Sequence, residues 1–169
     1  MDAITQLRAL YEQAHQVLEG TMADVSPEQV HWSPPGNAVP VGAAYAHTLV
    51  GEDAVLNGMV RRAAPLFASS WAGRSGMSEP PPQNPPWDEW SRGVKIDLPS
   101  LREYGQAVYA ATDAYLASLN PADLDVEIDG FGGKETLGHF LAGLALHTGW
   151  HTGEISSVKG LQGAKGYPF

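Results

Sequence analysis

Apolar residues return every three or four positions near the start of the chain, at Leu7, Leu10, Tyr11, Ala14, Val17 and Leu18. That period predicts an amphipathic helix running from about Asp2 to Asp24. Ser26-Pro27 and then Ser33-Pro34-Pro35-Gly36-Asn37 interrupt the pattern. Pro40 suits the opening turn of a second helix, where proline's missing N–H leaves no bond unmade. This second helix is expected from about Val41 to Arg62. Ser100 and Glu103 read as a capping box, and Leu101, Tyr104, Val108, Ala111, Tyr115 and Leu119 follow at helical spacing until Asn120-Pro121. Val126, Ile128 and Phe131 around Asp129-Gly130 read as a short hairpin or turn. A fourth helix should begin near Thr136 and end before Gly160.

Between the second and third helices the pattern changes. Pro65, Pro80, Pro81, Pro82, Pro85, Pro86 and Pro99 are too dense for a long helix, so the stretch from Ala63 to Pro99 reads as one long connection. Connections of that length are uncommon and are often functional. Both a lid over a site and a surface excursion held down by Trp71, Trp87 and Trp90 fit it. Four long helices with one long crossover between helices two and three predict an all-α protein, a four-helix bundle forming a single domain over residues 1–169. In such bundles, sites are built from side chains that project inward from facing helices.

Composition narrows the chemistry. The 169 residues include no cysteine, so thiolate metal ligands, disulfides and cysteine nucleophiles are excluded, and a metal would have to sit on His, Asp or Glu. Ten Lys and Arg against 19 Asp and Glu give a formal charge of −9, which opposes nucleic-acid binding. The first twelve residues resemble neither a signal peptide nor a membrane span, so a soluble, cytoplasmic protein is expected.

On the fourth helix the apolar stripe Leu137, Phe140, Leu141, Leu144 continues as His147 and His151 before returning to Ile155 and Val158. Residues four apart are separated by about 40° around a helix axis and about 6 Å along it, so two such imidazoles can converge on one ion. The spacing alone is weak, because chance supplies it in roughly one chain in six of this histidine content. Its place on the stripe strengthens it, since buried imidazoles cost free energy unless their nitrogens find partners. His47, with small or apolar neighbours Ala43, Val50, Gly51 and Ala54, is the best third ligand. Core histidines bonded to neighbouring hydroxyls or carbonyls are the alternative for all three. His15, His31 and His139 are left out of the site. Glu154, one turn past His151, fits a supporting acceptor, a fourth ligand or a solvated carboxylate. Glu52 and Asp53 lie about 120° to 140° around the helix from His47 and read as solvated or helix-packing charges.

These residues carry a resemblance. His47 followed by Glu52-Asp53, the run His147-Thr148-Gly149-Trp150-His151-Thr152-Gly153-Glu154-Ile155, the ending from Lys159 to Phe169 and the segment Trp32-Ser33-Pro34-Pro35-Gly36 together resemble the DinB-like superfamily. The resemblance implies a four-helix bundle holding a divalent ion on His47, His147 and His151. Characterised members include bacillithiol-dependent S-transferases and the metal domain of mycothiol-dependent maleylpyruvate isomerase, whose additional C-terminal domain this chain has no room for. Zinc and nickel are the leading ions, because imidazole suits both. Three imidazoles leave a four-coordinate ion one open position, as in catalytic sites. The expected function is therefore metal-dependent transfer of a low-molecular-weight thiol to a small-molecule substrate. Metal-dependent hydrolysis, with Glu154, Glu52 or Asp53 as base, is the alternative enzyme. A metal-stabilised binding or stress-response module is the non-enzymatic one. A homodimer is expected, with Trp71, Trp87, Trp90 and the C-terminal tail as candidate apolar surface.

Overall fold

Three of the four long helices start where a side chain satisfies an amide that the first turn leaves unpaired, and the one that follows Pro40 has no such cap. In the computed structural model, which describes residues 2–82 and 87–169, Asp2 caps α1 (Ala3–Met22) by accepting from the Thr5 amide at 2.8 Å. The Ser26-Pro27 break is itself a helix start. Ser26 and Gln29 form a reciprocal capping box and Pro27 opens the short helix α2 (Pro27–His31), so a signal read as an interruption begins an element. Helix α3 (Val41–Asp53) continues into a π-helical turn over Ala54–Val60. The long connection then carries a 3-10 turn at Leu66–Ala68 and the short helix α4 (Asp88–Gly93). Pro85 and Pro86, part of its proline run, lie outside the described residues.

Helix α5 (Leu98–Ser118) begins earlier than expected. Asp97 caps it by accepting from the Ser100 amide, and Pro99 sits in the first turn, so the Ser100–Glu103 pair does not form the cap. An antiparallel hairpin follows, β1 (Glu127–Gly130) with β2 (Gly133–Thr136), and Thr136 caps α6 (Leu137–Leu161), which runs through Gly160. The expected all-α bundle is therefore joined by one small hairpin. Among the described residues, no helix is long and apolar enough to cross a membrane.

The four long helices pack as a helical bundle in which α5 and α6 each lie against both α1 and α3. The α1 stripe is rotated slightly from its predicted position. Ile4, Leu7, Tyr11, His15, Leu18 and Met22 are buried, whereas Leu10 is 44% exposed. Two apolar clusters fill the core, one around Leu18, Leu49, Val108 and Ile155 and the other around Tyr11, Leu56, Leu116 and Leu144. At the changeover each helix contributes buried polar residues, His15 on α1, Glu52 on α3, Thr112 on α5 and Thr148 on α6. The residues expected to offer apolar surface for self-association differ in exposure. Trp90 is buried and Trp71 and Trp87 are half-buried, while Leu146, Trp150 and Leu161 on α6 and Phe169 in the tail are exposed.

Candidate metal centre

Two helices bring three half-buried histidines together. His47 projects from α3, which is buried on nearly every side, and His147 and His151 stand one turn apart on α6. One ring nitrogen from each lies within 4.8 Å of the others, and among the described residues these three form the group able to hold a metal ion. Ring centroids are 5.2 Å apart for His47 and His147, 4.5 Å for His47 and His151, and 4.4 Å for His147 and His151. Gly51 permits the approach, because a Cβ there would lie 3.3 Å from His147 Cε1.

The hydrogen bonding of the triad is incomplete in a way that suits a cation. Nδ1 of His47 and Nδ1 of His147 are buried with no hydrogen-bond partner among the described residues. Nε2 of His147 and Nε2 of His151 face each other at 3.0 Å, a contact in which a neutral pair can place only one proton. Burial, with His151 nearby, lowers the His47 pKa to about 3 and that of His147 to about 4. Both rings therefore stay neutral near pH 7, the form that ligates. A donor set of neutral imidazoles with unspent nitrogens fits a divalent transition ion.

Around the triad, Glu154 Oε2 lies 2.6 Å from His151 Nδ1, which fixes that ring's orientation and makes Glu154 a supporting acceptor. The edge of Trp87 meets His47 with ring centroids 4.1 Å apart. The connection read as either lid or excursion thus supplies a wall of the site. A cavity of about 940 Å³ opens here, bordered by His47, His151 and Glu154 together with Trp87, Trp90 and Tyr167.

The other candidates lie elsewhere. His139 is exposed beside Glu135, and His31 Nε2 accepts from the Ile96 amide. Glu52 and Asp53, read as solvated or helix-packing charges, are almost fully buried. Glu52 is bonded to His15 at 2.9 Å and to Thr112 at 2.5 Å, and Asp53 accepts from Asn57, Tyr104 and the Leu66 and Phe67 amides. This network escaped the reading of the chain, although one signal for it was present. Glu52 and Asp53 are the only acidic residues on an otherwise apolar helix, and such a helix has no solvated face to give them.

With this geometry in hand, the likeness to known proteins can be stated. The sequence model of the DinB superfamily matches residues 10–155. The crystal structure of a conserved protein from Enterococcus faecalis superposes with a TM-score of 0.77 at 19% identity, covering 94% of this chain and 96% of that one. Likeness at that identity is of fold. Among curated proteins, none matches.

Proposed function

The chain belongs to the DinB superfamily, and from that premise we propose that it holds one divalent metal ion, zinc or nickel, on His47, His147 and His151 and uses it to transfer a low-molecular-weight thiol to an electrophilic small molecule. The observation that supports this most is the convergence of three ligand nitrogens within 4.8 Å beside a cavity, with no acidic side chain joining the set among the described residues. Held by these imidazoles, a divalent ion would lower the pKa of a thiol bound to it and so supply a thiolate near neutral pH.

The chain's own residues supply the rest. His47 and His147 hold their rings neutral through burial, and Glu154 keeps His151 turned with Nε2 toward its neighbours. Trp87 and Trp90 form an aromatic wall that excludes water from the space where thiol and electrophile would meet. Hydrolysis is the weaker reading, because Glu52 and Asp53 are bonded within the core and Glu154 is engaged with His151. As the chain has no cysteine, the sulfur arrives with the cosubstrate. We place this activity in a cytoplasmic homodimer, with the exposed α6 residues Leu146, Trp150 and Leu161 as its contact face.

The test is direct. Purified protein should carry about one equivalent of metal and consume one of bacillithiol, mycothiol or glutathione in the presence of an electrophile, with adduct as product. Failure to bind metal, or hydrolysed substrate in place of adduct, would sink the proposal. Light scattering should give twice the 18.0 kDa chain mass.

A further inference from the structure

The charge around the cavity restricts what can enter it. The chain has ten Lys and Arg residues, and none borders the cavity beside the triad. Those nearest in sequence to its walls are turned to other work. Arg92, next to the lining Ser91, donates to Ser33 Oγ and to the carbonyls of Gly36 and Ala38. Lys159, next to the lining Val158, is buried against Asp24 and the Thr21 carbonyl, and Lys165 donates to the Pro168 carbonyl. Gln83 to Pro86, which lie outside the structural description beside this wall in sequence, carry no charged side chain either. Glu154 is the one acidic residue on the wall.

We infer that the cavity selects an uncharged ligand frame: a thiol carrying hydroxyl or amide groups and no carboxylate. This deepens the thiol-transfer reading and rests on it for the identity of the reacting group. With a divalent ion on the triad, a bound thiolate and the Glu154 carboxylate would together balance its charge. Any further carboxylate would be partly desolvated against Trp87, Trp90 and Ile155 with no lysine or arginine to meet it, an unfavourable placement. The net charge of −9 opposes anion entry as well. Neutral polar groups do have partners on the wall, in the Asn37 amide and the Tyr167 hydroxyl, and Ser91 and Ser157, whose hydroxyls donate to the Asp88 and Gly153 carbonyls, can still accept.

The matched pair N-acetylcysteine amide and N-acetylcysteine, which differ in the carboxylate, tests the inference. Binding to the zinc-loaded full chain is followed by quenching of tryptophan fluorescence. The amide should bind at least about tenfold more tightly than the acid. Ser157→Lys, at an exposed position on the cavity wall, should raise affinity for the acid by about tenfold and leave the amide little changed. Acid binding equal to or tighter than amide binding, absence of binding by both, or an unchanged ratio in Ser157→Lys would overturn the inference. A parallel titration of chelator-treated protein with benzamide and benzoate keeps the two ideas separable. If no metal binds and benzamide still wins, the thiol-transfer reading falls and the charge selection stands. If metal binds and the acid wins, the selection alone falls.

Discussion

Two polar clusters in this bundle draw on neighbouring turns of α3, one completed by residues of α1 and α5 and the other by α6, and they are finished differently. In the centre, Glu52 has His15 and Thr112, and Asp53 has Asn57, Tyr104 and two backbone amides. Five residues before Glu52, His47 faces two further histidines and keeps a buried Nδ1 without a partner, as does His147. Burial alone is common to both regions. The difference lies in satisfaction: the first cluster has bonded its polar atoms within the chain and holds helices together. The second leaves buried ring nitrogens without a partner among the described residues, in a group that could hold a metal ion.

The sharpest way to break the comparison is His147→Ala. It should abolish stoichiometric metal binding by isothermal titration, yet leave the stability of the metal-free chain within about 1 kcal/mol, because it removes an unsatisfied group. Asp53→Ala should do the reverse. It strands four donors in the core and should cost roughly 3 to 5 kcal/mol in urea unfolding, with metal affinity retained in the fraction that folds. A stable Asp53→Ala or an unfolded His147→Ala would erase the distinction.

Glu154→Ala sharpens the boundary of the metal site. The side chain is 59% exposed and its structural work is one hydrogen bond to His151, so stability should hardly change while metal affinity falls by about 10- to 100-fold. The same burial predicts a dependence on pH. His47 and His147 bind protons only near pH 3 and 4 when folded, against an ordinary value of 6.5. Between those limits the unfolded chain carries more protons, so this pair makes the metal-free protein lose stability as pH falls from about 6.5 toward 4, with no contribution above about 7.5. Thermal melts with chelator should show that acid slope, and His47→Ala should flatten it.

Much of the fold is legible in the chain because amphipathic period and capping chemistry are local. Helices α1, α3, α5 and α6 lie close to where Leu7 to Leu18, Pro40, Leu101 to Leu119 and the stripe from Leu137 to Val158 place them. The errors are instructive for the same reason. Ser26-Pro27 is chemically both a break and a helix start, and only the reciprocal Ser26–Gln29 bonds distinguish them. Asp97 outcompetes Ser100 as the α5 cap because Pro99 is tolerated in a first turn.

The three histidines were recoverable from the sequence by their positions, since a helix carries spacing of four residues into three dimensions unchanged. Their common focus was not, because the distance between α3 and α6 depends on packing across nearly 100 residues of chain, and on a glycine at 51 that lets His147 approach. The fate of Glu52 and Asp53 likewise belonged to tertiary structure. Sequence shows two carboxylates on an apolar helix, and whether they face water, metal or each other's helices is decided by which side chains arrive opposite. Here His15, Thr112 and Tyr104 arrive, and the carboxylates become part of the frame. The absence of cysteine needed no structure at all: it assigns any sulfur chemistry to a molecule brought from outside. That no lysine or arginine among the described residues borders the cavity beside the triad could be seen only once Arg92, Lys159 and Lys165 were found turned toward other partners.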